Sequence, residues 1–202
     1  MDAESWDARY AEQAHVWSAE PSPVRRGDLL RPARWHALDV ATGEGRHAIW
    51  FASRGWTVTA VDFSGEAIRK ARALQEAHAP GTAGRIEWVR ADVVAEPPRP
   101  RAYDAVAIVY LQLPALQRRR VLRAGADALA PGGTLLVVGH DSTNLTEGVG
   151  GPQNPAVLFT ADDVAQDLAG SGVSILRAER ASRPVGDDGA AALDAVVVAR
   201  RA

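Results

Sequence analysis

The chain has 202 residues, of which 47% are hydrophobic and 24% are charged, and its formal net charge at pH 7 is -2. These proportions are typical of a globular domain, and the small negative charge gives no electrostatic reason to bind nucleic acid or an anionic membrane. Because the chain contains no cysteine, disulfides, cysteine-ligated zinc, thiolate nucleophiles and iron–sulfur clusters are excluded. We find no secretory signal and no apolar run approaching the roughly 20 residues that span a bilayer, so we expect one cytoplasmic domain over residues 1–202.

Apolar, β-branched runs alternate with amphipathic stretches along the chain, which predicts repeated β–α units and a mostly parallel sheet. The first five predicted strands cover residues 35–41, 56–62, 86–91, 104–110 and 134–139. Helices are predicted over 48–54, from the capping residue Ser64 to His78, from Pro114 to Leu129, and from the capping residue Thr160 onward. Two consecutive strands, 173–177 and 193–199, follow the last helix and are expected to be antiparallel because a glycine- and aspartate-rich loop joins them.

The most informative stretch is residues 38–48, LDVATGEGRHA, in which a strand leads through two glycines into a helix. The glycines permit a sharp turn and close approach of a ligand to the backbone, but dinucleotide-binding folds share this pattern. Asp39 distinguishes between two candidate ligands. A carboxylate there repels the pyrophosphate of NAD and attracts the ammonium and sulfonium of S-adenosylmethionine (SAM). We therefore favour SAM. The alternative is that Asp39 only forms hydrogen bonds with the glycine turn.

Two further acids follow the next two predicted strands. Asp62 stands about 20 residues after the glycines, as expected for a carboxylate that binds the ribose of either SAM or NAD. Asp92 can accept a hydrogen bond from the adenine amine while the Val93 amide faces a ring nitrogen, or it can be a turn residue. Phe63 either lies flat on the adenine or packs in the core. Because ligands of open α/β sheets bind at the carboxyl ends of the strands, the three acids predict one site for ammonium, ribose and adenine.

Five segments resemble the class I SAM-dependent methyltransferases, in the order and at the spacing of that family: LDVATGEGRHA (38–48), TAVDFS (59–64), RADV (90–93), YDAVAIVYLQLP (103–114) and LAPGGTLLVVGHD (129–141). Within the class, SWDARYAEQAHVWS (5–18) and GEGRHA (43–48) are most similar to the small tellurite-resistance and thiopurine methyltransferase-like branch. One position departs from the pattern. Ala41 stands where many relatives have glycine, which makes the turn less permissive.

The resemblance implies an α/β fold, a Rossmann-like three-layer sandwich with a seven-stranded, mostly parallel sheet whose last strand is antiparallel between its neighbours. It implies that S-adenosyl-L-methionine is the cofactor and S-adenosyl-L-homocysteine the product, and that an N-terminal helical cap (1–34) covers the site. In related enzymes an N-terminal aromatic folds over the cofactor. Trp17 is the candidate here and Trp6 the second choice, with ordinary packing as the alternative. The predicted cofactor-binding residues are Trp17, Asp39, Ala41, Gly43, Glu44, Gly45, Asp62, Phe63, Ala91, Asp92, Val93 and Val109.

Methyl transfer from a sulfonium requires alignment of acceptor, methyl and sulfur, and exclusion of water. A base is needed only if the acceptor carries a proton at neutral pH. His140, which closes the fifth predicted strand, is the candidate base, and Tyr110, after the fourth, is the candidate for orienting the acceptor. For both residues the alternative is a structural role at a strand end.

We expect a small-molecule acceptor, a monomer or homodimer, and no nucleic-acid or membrane partner. The segment 110–114 replaces the Asn/Asp-Pro-Pro-aromatic motif of amino-directed base methyltransferases. Four arginines on the fourth predicted helix are expected to form a solvated face, with a local anion site as the alternative: Arg118, Arg119, Arg120 and Arg123.

No metal site is predicted, because Asp141 and Asn144 are too few ligands and are typical of turn chemistry. The loop 141–155, with glycines at 148, 150 and 151, is expected to be mobile and to cover the acceptor together with the N-terminal segment. Two other functions stay open at this point: an NAD-dependent oxidoreductase on a similar fold, and a non-catalytic SAM-binding module.

Overall fold

The computed structural model describes residues 2–12, 35–186 and 189–202. The strands within these ranges are β1 (His36–Val40), β2 (Thr57–Asp62), β3 (Ile86–Arg90), β4 (Tyr103–Val109), β5 (Leu129–His140), β6 (Val173–Pro184) and β7 (Ala191–Arg201). The helices are α1 (Ala3–Glu12), α2 (Arg46–Ser53), α3 (Gly65–His78), α4 (Ala115–Ala128), α5 (Asn144–Glu147) and α6 (Ala161–Leu168). None of the described helices is long and apolar enough to cross a membrane.

The seven strands form one sheet in the order β3-β2-β1-β4-β5-β7-β6. The pairs β1–β2, β2–β3 and β4–β5 are parallel, whereas β7 is antiparallel to both β5 and β6. The predicted Rossmann-like sheet, with its last strand antiparallel between two neighbours, is confirmed. The contacts divide the chain into two compact units, Met1–Glu96 and Pro97–Ala202, and the single domain over 1–202 stays a prediction.

In the first unit, β1 and β2 are buried on both faces beyond their first residues. Apolar side chains alternate there with the buried polar residues Asp39, Thr59 and Asp62. Helix α3 begins where the sequence predicts, since the Ser64 hydroxyl accepts a hydrogen bond from the Ala67 amide. Ile68, Ala71 and Leu74 recur at helical spacing and form the buried apolar face of α3. Position 75 of that face is polar, and it bonds through its side chain to Thr82 and Trp88.

In the second unit, β5 begins at Leu129, before the predicted start at Thr134. The reason is an irregularity in the ladder: Tyr103 pairs with Leu129, Ala105 pairs with Thr134, and the Pro-Gly-Gly segment bulges out between them. Helix α6 is capped as predicted, because Thr160 and Asp163 form a reciprocal capping box. Strand β6 extends beyond the predicted 173–177, and residues 187 and 188 of the predicted loop lie outside the described residues.

The predicted solvated arginine face on α4 is wrong in part. Arg118 and Arg119 both donate to the buried carboxylate of Asp167 in α6, over 2.9 and 2.7 Å. Arg123 donates to the carbonyl oxygens of Asp167 and Ala169. These arginines therefore hold α6 against α4. The anion that Arg118 and Arg119 bind is the Asp167 carboxylate, which belongs to the same unit.

Candidate active site

The turn between β1 and α2 has three residues in the left-handed region, Ala41 (φ 55°), Gly43 (φ 57°) and Gly45 (φ 81°). Glycine adopts this conformation freely, whereas alanine pays about 1–2 kcal/mol for it. Ala41 therefore sits in a strained position, as its departure from the usual glycine predicts. The turn is held to β2 by a hydrogen bond from the Thr42 amide to the Val61 carbonyl oxygen, 2.9 Å long.

Asp39 lies in β1 and is buried. Its Oδ2 accepts hydrogen bonds from the Thr42 hydroxyl (2.5 Å) and from the Ala48 amide in the first turn of α2 (3.0 Å). The carboxylate therefore braces the glycine turn, as the structural alternative predicts. These bonds use one oxygen, so bracing and attraction of a cationic ligand are compatible.

Asp62 closes β2, and its two oxygens hold two loops. Oδ2 accepts from the Gly43 amide (2.8 Å), and Oδ1 accepts from the Ser64 amide (2.9 Å) at the start of α3. The Asp62 carbonyl oxygen accepts from the Ala91 amide (3.0 Å), which ties the segment after β3 to the same place. The structure therefore brings together the glycine turn, the end of β2 and the segment that begins with Ala91.

Burial raises the pKa of Asp39 to about 6, and the Asp62 carboxylate adds to the rise, although the bonds from Thr42 and Ala48 oppose it. Burial also raises the pKa of Asp62, against the amides of Ser64 and Gly43. Within the described ranges, neither carboxylate has an ion-pair partner. The charge of Arg46 also lowers the pKa of Asp39, although no ion-pair contact joins them among the described residues. Two buried carboxylates without a direct cation contact form a site that favours a positively charged ligand.

The other residues predicted to bind the cofactor fall into two groups. Glu44 is buried against Lys70 of α3, with its Oε1 3.6 Å from Nζ, and Gly45 packs so tightly on Trp88 that a Cβ would lie 2.4 Å from that ring. These contacts give both residues a packing role in the turn. Asp92 is exposed and accepts from the Val94 amide (2.8 Å), so it forms a turn and keeps its carboxylate accessible. Phe63, Ala91 and Val93 are half-buried, and Trp17 lies outside the described residues.

The sequence analysis did not single out Asp7, which lies in α1. Its carboxylate accepts from the Ser64 hydroxyl and from the Glu66 amide (3.2 Å), so it adds to the cap of α3. Charge repulsion from Asp7 contributes to the raised pKa of Asp62. A single acid in an N-terminal helix belongs to no sequence motif that predicts a contact with a distant helix. Only the packing of α1 on α3 reveals this contact.

In the second unit, four polar side chains meet at the ends of β4 and β5. The Tyr110 hydroxyl, directly after β4, donates to Asp194 Oδ2 (2.8 Å). Arg183 Nε donates to the same oxygen (2.8 Å) and lies 3.0 Å from the Tyr110 hydroxyl oxygen. The Tyr110 and His140 rings are 4.9 Å apart. The structure thus brings together His140 and Tyr110, the predicted catalytic pair. Val109, which directly precedes Tyr110 and is predicted to bind the cofactor, is buried.

Sequence reasoning missed Arg183 and Asp194. Asp194 does carry a signal, because it is a single acid inside the apolar run LDAVVVA (193–199) of a predicted strand. An ionisable residue in such a strand is buried and must have a partner. The partner itself is set by strand pairing, which the sequence does not give.

The loop after β5 lies against His140. A Cβ at Gly151 would be 2.9 Å from three atoms of the imidazole ring. The Asn144 side chain holds this loop, since its Nδ2 donates to the Gly150 carbonyl oxygen (2.9 Å) and its Oδ1 accepts from the Leu193 amide (2.7 Å). Asp141 accepts from the amide and hydroxyl of Thr143. Asn144 and Asp141 therefore organise the loop, and the described residues contain no cluster of three or more side chains placed to hold a metal ion.

Comparison with known proteins gives these two sites a chemical context. Residues 37–133, slightly less than half of the chain, match the family model described as a methyltransferase domain. This segment is therefore similar to a methyltransferase domain. The matched segment contains the glycine turn, all three strand-end acids and Tyr110. No curated protein sequence matches the chain significantly.

Solved structures share the fold of this chain. A SAM-dependent methyltransferase from Methanosarcina mazei is 19% identical, with 90% of this chain and 98% of that one covered and a TM-score of 0.71. A structure titled for the conversion of a disulfide bond into a thioacetal group during echinomycin biosynthesis is 20% identical, with 98% and 91% covered and a TM-score of 0.75. Magnesium protoporphyrin IX methyltransferase from Synechocystis PCC 6803, with bound S-adenosylhomocysteine, is 20% identical, with 84% and 75% covered and a TM-score of 0.64.

Residues 37–133 are thus similar to a methyltransferase domain, and the chain has the fold of SAM-dependent methyltransferases. The match to the methyltransferase model favours methyl transfer over the NAD-dependent oxidoreductase that the glycine pattern alone left open. The residues of the site fit SAM, since the buried acids after the glycine turn suit a cation and a ribose. SAM supplies a methyl group bonded to a positively charged sulfur, and the protein supplies binding and alignment.

Proposed function

We propose that this protein is a SAM-dependent methyltransferase that transfers the methyl group of SAM to a small-molecule acceptor. The observation that carries the proposal is the pair of buried carboxylates, Asp39 and Asp62, that flank the glycine turn without an ion-pair partner among the described residues. In this proposal Asp39 attracts the cationic end of the cofactor, and Asp62 accepts from the ribose hydroxyls. Asp92 and Val93 bind the adenine, as the family resemblance implies.

Two observations support a small acceptor. The chain has a formal net charge of -2, and three of the four arginines on α4 bond to α6: Arg118, Arg119 and Arg123. Most of this basic cluster is therefore engaged within the fold. The names of two structural neighbours also refer to small molecules, magnesium protoporphyrin IX and echinomycin. We further propose that the protein belongs to the tellurite-resistance and thiopurine methyltransferase-like branch, acts in the cytoplasm, and is a monomer or homodimer.

In the second unit, we assign His140 as the proton acceptor and Tyr110 as the residue that orients the acceptor molecule. Both lie at carboxyl ends of parallel strands, where ligands of open α/β sheets bind. Burial lowers the pKa of His140, so its imidazole is neutral at pH 7 and able to take up a proton.

The test is a screen of phenols, thiols, halides and oxyanions for conversion of SAM to S-adenosylhomocysteine by the purified full chain. Asp62→Asn is the matched blank, because it keeps the shape of the side chain and removes the carboxylate. We expect one class of small acceptor to support turnover in the wild type and not in the variant. Turnover with total RNA or protein substrates, together with none from the small-molecule panel, would overturn the proposal.

A further inference from the structure

His140 and Asp194 stand directly opposite each other in the antiparallel ladder of β5 and β7. Both are more than nine-tenths buried, with exposed fractions of 8% and 4%. His140 Nδ1 lies 3.5 Å from Asp194 Oδ1, and within the described part of the chain neither of these two buried atoms has a hydrogen-bond partner. The structure thus places two unsatisfied polar atoms face to face.

Leaving a buried polar atom unsatisfied costs about 1–3 kcal/mol. A proton on Nδ1 and a shortening of about half an ångström, to the ordinary N–H···O distance of about 2.9 Å, satisfy both atoms at once. This arrangement fixes the neutral tautomer of His140 with the hydrogen on Nδ1. The other ring nitrogen, Nε2, then keeps its lone pair free to accept a proton.

The other oxygen of Asp194 is already fixed. Oδ2 accepts from the Tyr110 hydroxyl and from Arg183 Nε, each over 2.8 Å. These two bonds prevent the carboxylate from turning away from the imidazole. A purely structural role for Asp194 explains why its Oδ2 bonds to Tyr110 and Arg183. It does not explain why its Oδ1 faces His140.

We propose that Asp194 is a positioning residue that holds His140 as the base of the reaction, and that the acceptor is therefore an alcohol, a phenol or a ring N–H compound. This inference rests on the function proposed above, in which His140 takes up the proton. It adds the residue that aims the base and the chemical class of acceptor that requires one. Thiolates and inorganic anions carry no proton at the nucleophilic atom and need no such device.

The proposed methyl transfer conserves protons and electrons. The lone pair of the acceptor oxygen or nitrogen forms the new bond to the methyl carbon, while the carbon–sulfur bond breaks and its electron pair stays on sulfur. The acceptor proton passes to Nε2 of His140, which becomes an imidazolium beside the Asp194 carboxylate. The neutral methylated product leaves, and the imidazolium returns its proton to water.

Among the described residues, the charged and titratable groups facing His140 are Asp194 on β7, Arg183 on β6 and Tyr110 after β4. Burial is the main cause that lowers the pKa of His140, the Asp194 carboxylate raises it, and Arg183 lowers it. Loss of the Asp194 charge therefore lowers the pKa of His140 further, because the attraction disappears and the repulsion from Arg183 remains. The tautomer of the neutral ring separates a positioning role from this effect of charge alone.

The first test needs no acceptor. Nitrogen-15 NMR of the full chain, with the His140 signals assigned by their loss in His140→Gln, reports the tautomer and the pKa of this ring. We expect the neutral ring to carry its proton on Nδ1, and Asp194→Asn to lower the His140 pKa. Asp167→Asn, which removes a buried carboxylate from a different arginine pair, should leave it unchanged. A proton on Nε2 in the wild type overturns the inference, and this result is obtained even if Asp194→Asn does not fold.

The second test measures S-adenosylhomocysteine formation with two probes, a phenol and an acidic aromatic thiol whose sulfur is largely ionised at neutral pH, alongside SAM affinity by calorimetry. We expect Asp194→Asn to reduce turnover of the phenol by about 10²-fold or more, to move the acid limb of its pH profile to lower pH, and to keep SAM affinity. Equal loss for both probes with an unmoved pH profile contradicts a positioning role. Failure to bind SAM in the wild type contradicts the proposed function instead, and the tautomer measurement then decides the positioning role by itself.

Discussion

The backbone amide of Gly43 donates to Oδ2 of Asp62 over 2.8 Å, so the turn after β1 is tied to the last residue of β2. The second oxygen of the same carboxylate accepts from the Ser64 amide and thereby helps to begin α3. One buried side chain thus fixes the glycine turn and a helix start. It still has lone pairs with which to accept from a ribose.

We predict that Asp62→Asn weakens SAM binding by at least about 10²-fold, because two charge-assisted hydrogen bonds of about 1.5–3 kcal/mol each are lost or weakened. The amide NH₂ also faces a backbone N–H, which should lower the free energy of unfolding by about 1–3 kcal/mol. Calorimetry and urea unfolding measure the two effects. Asp167→Asn, another buried carboxylate, should lose stability and keep SAM affinity. Wild-type affinity in Asp62→Asn would show that the cofactor binds elsewhere.

The elements around this turn were predictable because their signals are local. A strand, two glycines, an acid and a capped helix follow one another within about 30 residues, and backbone sterics link each residue type to its place. The side on which a turn residue faces is not local. The contacts of Glu44 with Lys70 and of Gly45 with Trp88 are therefore not predictable from the turn, and the cofactor-binding role of both residues stays a prediction. The same limit explains why His140 and Tyr110 were singled out and Asp194 was missed, since strand register decides that pairing.

The raised pKa of Asp39 predicts a specific pH dependence of stability. The folded state binds the proton more tightly than the unfolded chain, whose carboxyl titrates near 3.8, so stability is lost as pH rises from about 3.8 to about 6. The loss is at most about 3 kcal/mol and persists above that window. Asp39→Asn should therefore be more stable than the wild type at pH 7.5, with the difference vanishing near pH 4, as measured by urea unfolding.

The same carboxylate predicts the pH dependence of cofactor binding. Because the ionised form attracts a cation, wild-type affinity for SAM should increase as pH rises from 5 to 7, whereas Asp39→Asn should bind weakly at every pH. Thr42→Val removes a hydroxyl that lowers the pKa of Asp39, so its increase should occur at higher pH. Calorimetry across this range tests the assignment, which a pH-independent wild-type affinity would refute.

Gly45 predicts a packing effect that can be separated from backbone strain. A Cβ at this position would lie 2.4 Å from the Trp88 ring and 2.9 Å from the Ala71 side chain, whereas at Gly84, which has a similar φ of 76°, nothing lies within 4 Å. Both Gly45→Ala and Gly84→Ala should lower the free energy of unfolding by about 1–2 kcal/mol, because alanine is strained in the left-handed region. Gly45→Ala should lose about 1–3 kcal/mol more through overpacking, and Trp88→Phe should recover part of that loss. Equal thermal unfolding of the two single variants would contradict this packing role.

Gly151 and Gly150 also allow a packing effect to be separated from backbone strain, in this case beside His140. Their φ angles are 75° and 69°, but only a Cβ at Gly151 would meet the imidazole ring, at 2.9 Å. Gly151→Ala must therefore displace the loop or the ring and expose the imidazole to water. Because burial is the main cause that lowers the pKa of His140, exposure should raise that pKa toward its ordinary value of 6.5. Gly150→Ala should strain the backbone equally and leave the pKa of His140 where it is, so an NMR titration that finds the same change in both variants rules out the loop as the cover of this ring.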